Sequence, residues 1–299
     1  LRCFAVRSSK KSPQTIQIEL SRKMDIKGGI AVNQPDEDGP AAQAGKTDPA
    51  GRPKQAGGKT AGKSDALMEQ LGLTVQTIMI DAGHGGKDPG AMAGGIAEHT
   101  FTLAMAKRVG ALLQKKGFTV LYTRTNDTFI PLQDRPDIAN HKKADLFISI
   151  HINANANPDI HGLEVYYLDM AKNQGAAVVA ARENAVSVKN ISDLQVILAD
   201  LMLSSKTEES HELARCVHSG MLDRLRRTKL AAASNGVRSA PFYVLMGARM
   251  PSVLVECGYI TNSEDARNLR SEAFLQSQAE GLVDGILEYR TRLTRETSR

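Results

Sequence analysis

The sequence contains no apolar run as long as ten residues, so it encodes no membrane-spanning helix. It has only three cysteines, Cys3, Cys216 and Cys257, widely spaced and without a CxxC pair. That excludes a disulfide-dense mini-protein and leaves open three free thiols or one pair and an orphan. Residues 33–66 lack Val, Ile, Leu, Met and every aromatic residue. Such a segment cannot bury enough to offset its ordering entropy and reads as a flexible linker. Net charge is missing from most of the chain. Residues 67–299 carry 26 basic and 26 acidic side chains, residues 33–66 five of each, and residues 1–32 seven against two. The body therefore has no global field to steer a nucleic acid, and no nucleic-acid partner is expected. Internal repeats and an apolar leader are also missing, and a chain starting at Leu1 reads as a piece excised from a longer protein.

What is present suits a globular domain. The 299 residues are 41% hydrophobic and 24% charged, with ample length to bury a core. Residues 3–7 and 15–20 alternate apolar and polar around a Ser-Lys-Lys-Ser-Pro turn, which predicts a β-hairpin. A lone hairpin is not stable in water, so residues 1–32 read as the remnant of an upstream β domain. After the linker, residues 67–299 form the main domain. Strands are expected at 75–81, 118–124, 145–151, 162–168, 242–246 and 252–256. Helices are expected at 98–116, where Phe101, Met105, Val109 and Leu112 share a face, at 134–144, across much of 170–227, and around Leu275, Ala279, Leu282 and Ile286. Leu194, Ile197, Leu198, Leu201 and Met202 continue the helical period within the long stretch. Strands alternating with helices predict an α/β fold: an open, mostly parallel twisted sheet of about six strands with helices on both faces.

In such a sheet, ligands gather at the carboxyl ends of the strands. IMIDAGHGG places His84 just past one strand, FISIHINA places His151 at the end of another, and VLVECGYITN places Glu256 at the end of the last. Glu98 opens a helix on the same edge. Two His and two Glu on one edge are what a zinc hydrolase needs: three N/O ligands, an open position for water and a carboxylate to take its proton. Each residue alone has a plainer reading. His84 could be a turn residue, His151 a core histidine, and Glu98 a helix N-terminal acid favoured by the dipole. Glu256 would be a costly buried carboxylate without a partner. The convergence of all four outweighs these readings. His99, His141, His211 and His218 read as structural or solvated, and His161 lies in a loop within reach of the edge.

IMIDAGHGGKDPGA, GIAEHTFTLAMA, TRTNDTFIPLQDRPDIAN, ADLFISIHINAN, HGLEVYYL, APFYVLMGARMPSVLVECGYITN and DARNLRSEAF resemble, in unbroken order over about 75–293, the zinc-dependent N-acetylmuramoyl-L-alanine amidases of the bacterial cell-division type. The resemblance implies one zinc ion held by His84, Glu98 and His151, with Glu256 as the catalytic carboxylate. It implies cleavage of the amide between the muramic acid lactyl group and L-Ala of peptidoglycan, in the periplasm or cell envelope. His99 stands where the family often has Lys. The helical insertion at about 169–210 resembles the regulatory segment of the division amidases, which covers the active site until an activator protein of the degraded-metallopeptidase type displaces it. Within it, Ala181-Arg182-Glu183-Asn184-Ala185 resembles the inhibitory helix, with Glu183 as an inhibitory ligand that replaces the water. Asn153 is expected as a donor to the oxyanion and His161 as a residue behind the ligands. Two alternatives stay open at this point: a zinc carboxypeptidase of the same architecture, and a catalytically silent cell-wall binding module.

Overall fold

A computed structural model describes residues 4–8, 16–20, 75–191, 206–230 and 232–296. The chain separates into two compact units, Leu1–Gly58 and Lys59–Arg299. In the first, β1 (Phe4–Ser8) and β2 (Ile16–Leu20) pair antiparallel, with Phe4 opposite Leu20.

The second unit holds the sheet. Its elements run β3 (Thr77–Ala82), β4 (Met92–Ala93), β5 (Ile96–Ala97), α1 (Glu98–Lys115), β6 (Thr119–Tyr122), α2 (Asp134–His141), β7 (Leu146–Asn153), β8 (Leu163–Leu168), α3 (Gln174–Glu183), α4 (Thr207–Arg227), β9 (Ser234–Ala240), β10 (Ser252–Tyr259), α5 (Ser263–Asn268) and α6 (Glu272–Glu296). Six strands form one open sheet in the order β6-β3-β7-β10-β8-β9. All neighbouring pairs are parallel except β10 with β8. The open, mostly parallel α/β sheet of about six strands expected from the sequence is present, with one antiparallel pairing that reverses β8 and β9 together.

Strand side chains alternate between two cores. Ile78, Ile80, Ile148, Ile150, Val253 and Val255 pack with Met105, Val109, Val217 and Leu282 of α1, α4 and α6. Met79, Phe147, Leu254 and Tyr166 pack with Ala139, Ala176, Val179 and Ala180 of α2 and α3. Each strand therefore reads as a continuous apolar run because both faces are covered. In α1 the buried stripe ends on Leu113, with Leu112 only half-buried.

Two expected elements differ. Residues 242–246 are a turn, not a strand: the Leu245 and Met246 amides donate to the Phe242 carbonyl, and the Tyr243 amide donates to Asn184 Oδ1 at 2.8 Å. The strand is the polar segment Ser234–Ala240, an edge strand that needs no apolar run. The long helix breaks after Glu183, where Ala185 adopts φ 53° and the Asn184 side chain donates to the Pro241 carbonyl. Leu194, Ile197, Leu198, Leu201 and Met202 lie outside the described residues, as does Cys3. Cys216 and Cys257 are buried free thiols.

A buried ion pair fixes the end of β3. Asp81 is fully buried; its Oδ1 accepts from Arg135 Nη1 at 2.9 Å and Thr123 Oγ1 at 2.6 Å, and its Oδ2 accepts from Ser149 Oγ at 2.7 Å. Burial alone would raise the Asp81 pKa, but Arg135 and the two hydroxyls outweigh it and hold the carboxyl below its ordinary 3.8. A depressed carboxylate contributes stability above its unfolded pKa and loses it as pH falls through the lower folded value. Asp81→Asn leaves the Arg135 cation buried without its partner, so a loss of about 3–5 kcal/mol is expected in urea unfolding at pH 7. Its acid sensitivity below about pH 4 should flatten as well. A loss under about 1 kcal/mol would show that the pair does not hold the strand end.

Candidate metal centre

The site grows from the carboxyl edge of the sheet. On adjacent strands, His151 of β7 pairs in register with Glu256 of β10, and Glu256 with Glu164 of β8. All three belong to the face covered by α2 and α3, because alternate side chains of a strand share a face. Beyond β3 the chain turns sharply, and His84 takes φ 59°, a conformation few non-glycine residues adopt. Its carbonyl accepts from Arg135 Nη2 at 3.0 Å, and its Nδ1 lies 2.8 Å from Asp88 Oδ2. Arg124, also buried, donates to the Ala82 and Gly83 carbonyls on the same turn. Two glycines are required here. A Cβ on Gly83 would stand 2.5 Å from the His151 ring, and one on Gly90 (φ 66°) would stand 2.6 Å from Glu98 Oε2.

Glu98 reaches in from the first turn of α1. Its Oε2 accepts from the Ala91 amide at 2.8 Å and its Oε1 from the Ile152 amide at 3.1 Å. That Oε1 is 3.2 Å from His84 Nε2 and 3.1 Å from His151 Nδ1. Glu183, the last residue of α3, closes the group, with its Oε2 3.2 Å from His84 Nε2 and 3.0 Å from His151 Nδ1. One ligand atom from each of His84, Glu98, His151 and Glu183 lies within 4.8 Å of all the others.

The donor set fits a metal ion. Two imidazoles and two carboxylates suit zinc. His84 Nε2 and Glu183 Oε2, both inside the cluster, are buried without a well-directed hydrogen bond, although buried polar atoms are ordinarily satisfied. A cation supplies what these atoms lack. Desolvation lowers the His84 pKa, but contacts with Asp88, Glu183 and Glu98 override it and hold it at about 12. His151 balances the same way at about 9, with Glu183 the main opposing charge. Protons on the imidazoles thus stand where an ion's charge would.

Glu256 is fully buried, and neither of its oxygens has a hydrogen-bond partner. Burial, then the Glu183 charge, pushes its pKa well above the usual carboxylate range. Arg182 fills the gap between the carboxylates. It donates through Nε and Nη2 to Glu183 Oε1 at 2.9 and 2.5 Å, and its Nη2 lies 3.6 Å from Glu256 Oε1.

Five sequence-predicted residues, His84, Glu98, His151, Glu183 and Glu256, thus come to one place. Asn153 is beside them but presents the opposite end from the one expected. Its amide nitrogen donates to Glu164 Oε2 at 3.3 Å, so its carbonyl oxygen, not a donor, faces the site. His161 lies ahead of β8, half-buried, with its carbonyl accepting from Asn235, and no described contact ties its ring to the cluster. His99 turns away, its Nδ1 3.1 Å from the Pro89 carbonyl. Sequence reading missed Arg124, Arg135, Arg182 and Glu164; for Glu164, the signal was a lone carboxylate inside the apolar strand LEVYYL.

An open α/β sheet with a His/Glu cluster and a spare buried carboxylate at its carboxyl edge defines a candidate metallohydrolase. The N-acetylmuramoyl-L-alanine amidase family model matches residues 78–288, and the chain belongs to that family. It is 39% identical over 225 residues to the N-acetylmuramoyl-L-alanine amidase AmiA of Salmonella typhimurium, covering 71% of this chain and 75% of that protein. Among solved structures, the amidase AmiC2 of Nostoc punctiforme shares 35% identity with a TM-score of 0.55, over 73% of this chain and 98% of that one. The CwlD amidase of Clostridioides difficile, solved in complex with the GerS lipoprotein, shares the fold at 24% identity and a TM-score of 0.55, over 73% and 99% of the two chains. Membership of this family sets aside the carboxypeptidase alternative.

Proposed function

We propose that this chain is a zinc-dependent peptidoglycan amidase held in a self-blocked state by its own helix α3. The carrying observation is that four ligand-type side chains from four separate segments meet within 4.8 Å, one of them from α3. His84, Glu98 and His151 would hold the ion, and Glu183 would take the position that substrate and water need. A bound zinc supplies a Lewis acid for the amide carbonyl and a water of lowered pKa. Glu256 takes a proton from the attacking water and delivers it to the L-Ala nitrogen as the amide breaks. Its burial and lack of partners suit that task, since neither oxygen is committed to another group and burial favours the protonated form that returns the proton. Asp88 and Arg135 hold His84 through its ring and its carbonyl, so the ligand is oriented before the ion arrives.

The closure is nearly complete: Glu98 and Glu256 are fully buried, and Glu183 is 6% exposed. A polymeric substrate cannot reach them until the end of α3 withdraws. An activator protein, such as one of the degraded-metallopeptidase type, is the proposed agent; the CwlD–GerS complex is a precedent for an amidase of this fold with a protein partner. Because peptidoglycan lies outside the cytoplasmic membrane, we place the enzyme in the periplasm or cell envelope, with a role in cell division. Among the described residues, no helix is long and apolar enough to cross a membrane.

Chelation tests the metal. Treating the Glu183→Ala variant, in which the blocking carboxylate is gone, with a chelator should abolish release of stem peptide from purified peptidoglycan and lower the Tm by several degrees, and zinc should restore both. Full hydrolysis after verified metal removal would overturn the zinc assignment. Intact stem peptide beside lactyl-bearing glycan identifies the bond cleaved.

A further inference from the structure

We propose that Asn153 determines specificity by accepting a hydrogen bond from a peptide N–H of the stem peptide, and that Glu164 is the positioning residue that turns it to do so. The inference rests on the amidase reading above and adds a substrate contact to it.

An asparagine offers an acceptor at one end of its amide and donors at the other, and its neighbours decide which way it faces. Here they leave one choice. The Ala154 amide donates to Asn153 Oδ1 at 2.8 Å, and Arg182 Nη1 donates to the same oxygen at 2.8 Å. Glu164 Oε2 accepts from Asn153 Nδ2 at 3.3 Å. A backbone N–H and a guanidinium only donate, and a carboxylate only accepts, so the reversed amide would set donor against donor and acceptor against acceptor. Glu164 is itself firmly placed. It is 1% exposed, directly across the strand pair from Glu256. It also accepts from Tyr166 Oη at 2.6 Å and Tyr259 Oη at 2.9 Å.

The acceptor has a stand-in occupant. Arg182 Nη1 donates to both Asn153 Oδ1 and the Ala154 carbonyl, the latter at 2.6 Å, while Nη2 of the same guanidinium lies 3.6 Å from Glu256 Oε1. Withdrawal of α3 leaves two acceptors side by side at the end of β7, one guanidinium width from the carboxylate that serves the scissile nitrogen. Only a donor satisfies them. Near the scissile bond the substrate's donors are the stem-peptide N–H groups on the leaving-nitrogen side and the N-acetyl N–H and hydroxyls of the sugar on the other. The acceptors lie beside Glu256, which serves the leaving nitrogen, and so face the peptide side, whose carbonyls and carboxylates would meet acceptors.

The test uses the full chain carrying Arg182→Ala and Glu183→Ala, so that the acceptors are free. The substrates are synthetic muramoyl peptides in which each peptide N–H beyond the scissile bond is replaced in turn by an ester oxygen. One replacement should reduce kcat/KM about tenfold with Asn153 present, and by no more than about twofold with Asn153→Ala. Calorimetric Kd values for the same pair of ligands, in protein also carrying Glu256→Gln, should show the same loss without turnover. The exchange Asn153→Asp with Glu164→Gln keeps an acceptor toward the substrate and a donor–acceptor match behind it, and should restore the discrimination. Equal discrimination with and without Asn153 at every position would overturn the proposal. Loss of all cleavage with the binding discrimination intact would strike the hydrolytic reading and leave this one standing.

Discussion

Replacing Glu256 with glutamine is expected to lower amide hydrolysis by about 10²- to 10⁴-fold, the usual contribution of a positioned acid–base group. Zinc content should not change. The reasoning is geometric: Glu256 is one strand over from His151, yet both its oxygens are free of hydrogen bonds, and it is not among the clustered ligand atoms. Glutamine keeps the shape but cannot carry a proton from water to the leaving nitrogen. Burial and the Glu183 charge already favour the uncharged carboxyl of Glu256, and glutamine is uncharged, so the variant should fold at least as well as the parent. Metal analysis, thermal melts and product release from purified peptidoglycan decide the matter together. A variant with bound zinc and undiminished turnover would remove Glu256 from the mechanism.

The second large effect is in the opposite direction. Glu183→Ala should raise basal hydrolysis about 10- to 100-fold without added activator, corresponding to about 1–3 kcal/mol of bias toward the closed state. Glu183 contacts both histidines and is anchored by Arg182, and the turn that follows it is pinned by Asn184 to the 241–243 segment. Those links hold a carboxylate at high local concentration beside the ligands, a stronger competitor than any free anion. An unchanged basal rate at unchanged zinc content would mean that the contact is not inhibitory. It would also revive the reading of a silent binding module if no activity appears under any condition.

Much of this was legible in the sequence because the strands announce themselves. IMID, FISIH and VLVE are apolar runs ended by polar residues, and in a sheet covered on both faces such endings mark the functional edge. The family motifs added Glu183. The edge strand Ser234–Ala240 was illegible for the complementary reason: it has one neighbour and no apolar run, while the nearby residues 242–246 are apolar but turn back to bond Asn184. The supporting polar residues were hidden by distance. Glu164 meets Tyr259 across 95 positions and Arg135 meets Asp81 across 54. Periodicity cannot show which of many charged residues will share a rung, or which end of the Asn153 amide Glu164 will choose.

That rung has a consequence for how such a chain can change. His151, Glu256 and Glu164 sit on one face only because two ladders agree in phase. Inserting a single residue in β10 ahead of Glu256 would send its carboxylate through to the opposite side, among the hydrocarbon of α4 and α6, and swing a neighbour into its place. Loops around the site are free to lengthen or drift, but the strands that carry these three residues can vary only in steps of two.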